Sequence, residues 1–167
     1  VTALDVEDVY TENGLFVPRN GLQKLAVLER HHASGRVGLG ILRGFDIKNG
    51  AIATTVGHDS HNLVVVGDND ADMLQAVDVL EECGGGYVVV SNGEVLAKLV
   101  LSVAGLMSDA PLESILKHQR ELLAAAQQLG IHTQSDPFIT LSFIALPVIP
   151  DVRLTDMGLF AVRTMEF

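Results

Sequence analysis

The sequence predicts an α+β fold with a mainly antiparallel sheet built from hairpins and flanked by α-helices. Two pairs of apolar, β-branched runs are each joined by Asn-Gly, at Asn49-Gly50 and at Asn92-Gly93. Asn-Gly is the strongest short hairpin signal, because both turn residues need a positive φ. One segment with helical spacing of apolar residues lies between the two pairs, and a second follows them. Adjacent hairpins imply antiparallel pairing, which argues against a doubly wound parallel sheet.

The first part of the chain is predicted to lead into a series of strands. Residues 1–24 combine acidic residues with Pro18 and two Asn-Gly turns, and the first residue is Val1. This composition is typical of a linker or lead-in from a missing upstream domain, so the domain itself is expected to cover residues 25–167. The predicted strands, which are rich in aliphatic residues, are Leu25–Arg30, Gly38–Lys48, Ala51–Val56 and the apolar run Asn62–Gly67.

The second part is predicted to contain two helices and a second hairpin. Asn69 is the expected N-cap of the first helix, and Gly84 is its expected C′ glycine. Residues 86–91 and 94–101 form the predicted hairpin, and Pro111 opens a helix that Gly130 ends. Periodicity does not decide whether the apolar segment Phe138–Leu146 is a strand or a helix. Residues 159–167 are predicted to be a last strand.

Composition narrows the possible partners. The chain has 21 acidic residues and 11 Lys plus Arg, a formal net charge of −10, which opposes binding to the phosphate backbone of nucleic acid. The longest apolar run, Phe138–Ile149, is too short to span a bilayer, so no membrane partner is expected. One cysteine, Cys83, fits a reducing, cytoplasmic location. A mean hydropathy of +0.33 together with that apolar run predicts an apolar surface that another domain covers.

A dense polar cluster, His58-Asp59-Ser60-His61-Asn62, lies between two predicted strands. Loops held by rigid strands are common places for function. Three interpretations remain open: metal ligation by His58 and His61 with Asp59 beside them, contact with a ligand or partner domain, and a polar turn that satisfies its own backbone. No third metal ligand is evident, so neither a metal site nor a catalytic residue is assigned to this chain.

Two further motifs have structural interpretations. Gly38-Leu39-Gly40 lies within a predicted strand, which indicates a bulge or a close approach of another backbone. His31 and His32 lead into Ala33-Ser34-Gly35-Arg36, which is typical of a solvated turn, with a position facing a partner domain as the alternative.

Three long segments resemble one known family. They are residues 36–70, 82–109 and 136–160, and they contain the specific strings GAIATTVGHDSHN and LSFIALPVIP in this order. Each segment is similar to part of the C-terminal domain of adenine deaminases in the amidohydrolase superfamily. The resemblance covers nearly the whole chain after about residue 20.

The resemblance implies a parent enzyme that converts adenine to hypoxanthine and ammonia on a metal-dependent (β/α)8 barrel, using Mn, Fe or Zn. Such a barrel needs about 250 residues, and this chain has 167 with no His-x-His pair. The expected partners are therefore the barrel domain of the same polypeptide, adenine in the parent enzyme, and further copies in a homo-oligomer. Two alternatives remain: a free-standing binding or regulatory module, and an autonomous enzyme that uses the His58–Asn62 loop.

Overall fold

The computed structural model of the protein describes residues 8–132 and 135–167. Residues 1–7 of the proposed lead-in lie outside the described residues. The helices are α1 (Asp70–Glu82), α2 (Leu112–Gln128) and α3 (Pro137–Ser142). The strands are β1 (Thr11–Glu12), β2 (Leu15–Phe16), β3 (Leu22–Leu28), β4 (Val37–Arg43), β5 (Gly50–Thr54), β6 (Leu63–Gly67), β7 (Gly86–Ser91), β8 (Glu94–Val100), β9 (Val152–Thr155) and β10 (Gly158–Ala161).

Six of these strands form one sheet in the order β4-β3-β6-β5-β7-β8. All of the neighbouring strands in it pair antiparallel. Two small sheets, β1 with β2 and β9 with β10, complete the strand pairing. The predicted α+β class with a mainly antiparallel sheet is therefore confirmed.

The central strands are buried on both faces. Alternate residues of β3 show this arrangement, because Leu25 and Val27 belong to a core that includes residues of α2 and α3, whereas Ala26 belongs to a core built around α1. All five residues of β5 and of β6 are buried. This explains why their sequences are continuous apolar runs, without the alternation of a half-exposed strand.

The hairpin predicted at Asn49-Gly50 is wrong. β4 pairs only with β3 in the described sheet, and β5 pairs with β6 and β7. Asn49 has a φ of 54°, but Gly50 lies outside the left-handed region and begins β5. The carboxylate of Asp68 accepts hydrogen bonds from the backbone N–H of Asn49 and of Gly50, at 2.6 and 2.9 Å. The Asp68 carboxylate, rather than a cross-strand partner in β4, therefore accepts the hydrogen bonds of these two N–H groups.

The strand predicted over Gly38–Lys48 ends at Arg43, but the second hairpin and the caps of the first helix are confirmed. Asn92 and Gly93 have φ values of 49° and 79° and join β7 to β8. The Asn69 side chain accepts a hydrogen bond from the Asp72 backbone N–H and so caps α1. Gly84, with a φ of 79°, follows the end of that helix, as a C′ glycine should.

The segment that periodicity left undecided begins as the short helix α3. Asp136 caps it by accepting a hydrogen bond from the Phe138 backbone N–H at 2.8 Å. Leu141 is fully buried, so much of the apolar run belongs to the domain's own core and not to an exposed face. β9 was not predicted, and the last strand is shorter than expected because β10 ends at Ala161.

Alternating glycines in β4 place the β9–β10 hairpin against the sheet. A Cβ atom at Gly38 would overlap the backbone carbonyl oxygen of Thr155, and one at Gly40 would lie 3.2 Å from the Leu154 side chain. The predicted close approach of a second backbone at this motif is therefore confirmed. It brings the β9–β10 turn to the end of the sheet where the His58–Asn62 loop lies, as the contact between Asn62 and Asp156 shows.

Within the described part of the chain, the search for a helix with the length and apolar character of a membrane span found none.

Candidate functional site

The loop of residues 57–62 connects β5 to β6 at one end of the sheet. The β3–β4 connection and the turn after β8 end there too, because Arg30 makes hydrogen bonds to residues of the loop and of that turn. Residue 142, at the end of α3, also contacts the loop, since its carbonyl oxygen accepts a hydrogen bond from the His58 backbone N–H at 2.9 Å. Segments distant in sequence therefore meet around the polar cluster His58–Asn62.

The side chains of this loop differ in exposure. Asp59 and Ser60 are exposed, and His58 and His61 are half-buried. The His58 ring packs against Phe143 with ring centroids 4.8 Å apart, and it lies edge-on to His61 at 6.3 Å. Two imidazoles, a carboxylate and a hydroxyl are therefore presented together at the surface of the domain.

Asn62 has a different position, because it is only 4% exposed. Its Nδ2 donates a hydrogen bond to Asp156 Oδ1 at 3.0 Å, and the Arg36 guanidinium forms an ion pair with Asp156 Oδ2 at 2.8 Å. Asn62 thus uses its amide to tie the loop to the β9–β10 turn.

The loop backbone is held by residues of the β3–β4 connection. Arg30 Nε donates a hydrogen bond to the His61 carbonyl oxygen at 2.7 Å, and His31 Nε2 lies 2.7 Å from the Ser60 carbonyl oxygen. The His61 backbone N–H donates to the Gly57 carbonyl oxygen at 2.6 Å, which closes the loop on itself. Several backbone polar groups of the loop are therefore used within the domain, while the side chains of Asp59 and Ser60 are exposed.

His31 and His32 belong to a turn that Glu29 organises. The carboxylate of Glu29 accepts hydrogen bonds from the backbone N–H groups of His31, His32 and Ser34 and from the Ser34 hydroxyl. The hydrogen bonds from Ser34, with smaller contributions from the two histidine N–H groups, lower the pKa of Glu29 to about 2. Both histidines are exposed, as predicted for a solvated turn, but the ring of His31 also contacts the loop.

The loop does not fit a metal site. Across residues 8–132 and 135–167, no group of three or more His, Cys, Asp or Glu side chains is arranged to hold a metal ion. Catalytic zinc sites use three protein ligands and keep a position open for water. His58 and His61 supply only two imidazoles, so the residues present do not form a site of this kind.

Exposed apolar side chains occur in the segments that meet the polar loop. Phe143 contacts His58 and is 39% exposed, and Met157, next to Asp156, is 63% exposed. Met107 is 62% exposed and lies in the turn whose Ala104 carbonyl accepts a hydrogen bond from Arg30.

Sequence patterns identified the loop but missed the residues that hold it. Arg30 stood at the end of a predicted strand, and Asp156 lay in a segment with no predicted structure. Both reach the loop through contacts that span 31 residues or more. No local sequence pattern reveals these long-range contacts. The one available signal was an arginine directly after an apolar strand, which indicates a charged group near the sheet end.

Comparison with known proteins identifies the family. The family model of the adenine deaminase C-terminal domain matches residues 1–166. The chain is 55% identical to an adenine deaminase of Nitratidesulfovibrio vulgaris (strain DP4) over 156 residues, which are 93% of this chain and 27% of that protein. It is 48% identical to an adenine deaminase of Leuconostoc mesenteroides over 162 residues, which are 97% of this chain and 29% of that protein.

A third relative, adenine deaminase 2 of Latilactobacillus sakei, is 49% identical over 152 residues, which are 90% of this chain and 26% of that protein. The chain thus spans roughly a quarter of the length of the curated relatives it matches. The sequence resemblance and these matches agree, and the chain belongs to the adenine deaminase C-terminal domain family.

Proposed function

We propose that this chain is the C-terminal part of an adenine deaminase, an enzyme that hydrolyses adenine to hypoxanthine and ammonia. The observation that carries the proposal is the identity of 48–55% to proteins named adenine deaminase, over nearly all of this chain and about a quarter of each relative. The remaining length of those relatives is enough for a (β/α)8 barrel, which would supply the catalytic centre. Residues 1–24 would then lead in from that domain.

In this proposal the loop of residues 57–62 faces the barrel and forms part of the wall or lid of the active site. The support is its construction: its backbone accepts hydrogen bonds from Arg30 and His31, Asp59 and Ser60 are exposed, and the partly exposed Phe143 packs against His58. Neutral His58 or His61 can hydrogen-bond a purine nitrogen or orient a carboxylate of the barrel. Asn62 would hold the loop in place and would not contact the partner.

The divalent metal, Mn, Fe or Zn, would be held by the barrel and not by this chain. A bound divalent cation lowers the pKa of water into the neutral range and so generates the attacking hydroxide. This chain's contribution would be to orient groups and exclude water at that centre. The whole enzyme is further proposed to be cytoplasmic and to form a homo-oligomer, and this chain's net charge of −10 gives it no affinity for nucleic acid.

The competing candidate is a free-standing binding or regulatory module with this fold. It is favoured only by the fact that the domain has complete cores on both faces of its sheet. It would require the exposed loop side chains to recognise a separate partner. A reading frame without an upstream barrel would favour this candidate.

The test is His61→Ala in the full-length deaminase. We expect kcat/KM to fall by about 10- to 100-fold, the usual scale when a group supporting a metal centre is lost. The metal content should stay unchanged, because the proposal places the metal ligands in the barrel. The melting temperature is measured alongside, because the His61 ring is half-buried. The matched control is His118→Ala, which removes an imidazole from α2 and should change kcat/KM by less than about twofold. Normal kinetics with a lowered melting temperature would make the loop a structural turn.

A further inference from the structure

Arg30 joins two separate loops at the sheet end that carries the candidate site. Its Nε donates a hydrogen bond to the His61 carbonyl oxygen, and its Nη2 donates one to the Ala104 carbonyl oxygen, both at 2.7 Å. The first carbonyl belongs to the loop between β5 and β6, and the second belongs to the turn after β8. Because the guanidinium is planar and rigid, it fixes the distance between these two segments.

The two carbonyls that Arg30 holds belong to residues in an uncommon conformation. His61 has a φ of 52° and Ala104 has a φ of 58°. The left-handed region is disfavoured for residues with a Cβ atom, and such residues persist only where their surroundings hold them there. The guanidinium is positioned to supply that restraint at both residues.

Charge neutralisation does not explain the position of Arg30. Among the residues that the structure describes, Arg30 has no carboxylate partner, and both of its hydrogen bonds go to carbonyl oxygens. Burial lowers the pKa of Arg30 from its ordinary value, which means that its positive charge is partly removed from water. The chain therefore places a partly desolvated cation where it orders two loop backbones.

We propose that Arg30 is a positioning residue for the deaminase reaction, which sets the spacing between the loop of residues 57–62 and the turn of residues 101–107 on the face that meets the catalytic domain. The inference rests on the proposed function of that loop. Arg30 is half-buried, and both of its hydrogen bonds go to loop carbonyl oxygens. In this proposal it acts through the loop that carries the half-buried ring of His61 and through the turn that carries Met107.

The experiment compares Arg30→Ala, Arg30→Lys and Lys24→Ala in the full-length enzyme. Lys24 is the matched control, because it is a cation on the other end of the same strand and pairs with Asp70 at 2.6 Å, away from the loop. Arg30→Ala should lower kcat/KM by about 10- to 100-fold, mostly through kcat, since misplacing a wall of the active site impairs catalysis. Arg30→Lys should give an intermediate value, because an ammonium group keeps the charge but lacks the planar fork. Lys24→Ala should stay within about twofold of the wild-type value.

The change in kcat and the partial rescue by Arg30→Lys are the readouts that a purely structural role would not give, and amide hydrogen exchange shows whether the loosening is confined to the two segments. In Arg30→Ala, exchange should speed up in residues 57–62 and 101–107 and stay unchanged in β5, β6 and β7. Wild-type kinetics for Arg30→Ala would overturn the inference, and so would faster exchange spread over the whole sheet. If kcat/KM is normal in His61→Ala but lowered in Arg30→Ala with local loosening, the positioning role of Arg30 is supported and the proposed role of the His61 side chain is wrong. If kcat/KM is lowered in His61→Ala but normal in Arg30→Ala, the proposed role of the loop is supported and the positioning role of Arg30 is wrong.

Discussion

At the scale of single residues, Glu29 shows how one carboxylate can organise a turn beside the candidate site. It accepts four hydrogen bonds from residues 31–34, and these residues bring the ring of His31 onto the loop. The acceptor is needed in its ionised form, because a carboxylate accepts several N–H groups whereas a protonated carboxyl accepts fewer. The conformation of the turn therefore depends on the charge of Glu29.

The pH dependence follows from the pKa of Glu29, which is lowered to about 2 from an ordinary value of 4.5. Because the folded-state pKa lies below the unfolded one, the stabilising contribution is fully present above about pH 4.5 and is lost as the pH falls through about 2. An NMR titration of the Glu29 carboxyl carbon should show a midpoint near 2. In Ser34→Ala the midpoint should rise, since one of the stabilising donors is removed. A wild-type midpoint near 4.5 would contradict the hydrogen-bond pattern.

Single residues also show why only part of the site could be predicted. His58 to Asn62 were found because five polar residues in a row between apolar strands stand out locally. That Asn62 is buried against Asp156 while Asp59 is exposed depends on a contact across 94 residues. Arg30 was missed for the same reason, since its partners lie 31 and 74 residues away. Local patterns identify a loop, and tertiary contacts decide which of its side chains are available.

At the scale of elements, β4 has a glycine side and an aliphatic side. Gly38 and Gly40 allow the β9–β10 hairpin to approach one face, whereas Val37, Leu39 and Ile41 point to the other face and are 45–76% exposed. The strand is also an edge of the sheet, with β3 as its only partner in the described sheet. The approach of the hairpin places Asp156 beside Asn62 and so helps to position the loop.

Adjacent substitutions in β4 should therefore have very different effects. Gly38→Ala places a methyl group on the Thr155 carbonyl oxygen, so it should lower the free energy of unfolding by roughly 1–3 kcal/mol, the usual cost of overpacking. Leu39→Ala, one residue further along, should change it by less than about 0.5 kcal/mol, because Leu39 is 76% exposed. Urea unfolding of both variants checks this. Equal stability for the two would mean that the hairpin does not lie against Gly38.

The Asn-Gly pairs show how far turn chemistry predicts elements. At Asn13-Gly14 and Asn92-Gly93 both residues have positive φ, and each pair joins two strands in a hairpin. At Asn49-Gly50 the glycine is extended, and a Cβ atom there would overlap the Val90 carbonyl oxygen of β7 and lie 2.8 Å from Cδ2 of Leu129, the residue after α2. Here glycine allows the neighbouring strand and the end of α2 to approach, and it does not form a turn. The dipeptide alone cannot distinguish these two uses, because the second one depends on tertiary packing.

At the scale of the whole molecule, the cores on the faces of the sheet are distinct from the sheet end that carries the loop of residues 57–62. The strands and helices form complete cores on both faces of the sheet, so the domain has what it needs to fold by itself. The loop-bearing end, by contrast, carries the exposed Asp59 and Ser60 and the partly exposed Phe143. We therefore expect stability to come mainly from this chain's own cores, and we propose that function depends on the larger part of the enzyme.

The isolated chain is accordingly expected to unfold cooperatively but to show no adenine deaminase turnover. Hydrolytic attack at neutral pH needs a strongly activated water, which the proposed barrel would generate on a divalent metal. The described residues offer two neighbouring imidazoles and no third ligand to hold such an ion. Ammonia release from adenine would be measured with added Mn, Fe or Zn, with the full-length enzyme as the positive control. A turnover of roughly 1 per second or more, within the range of ordinary enzymes, would show that this chain carries a catalytic centre of its own and would return attention to His58 and His61 as its ligands.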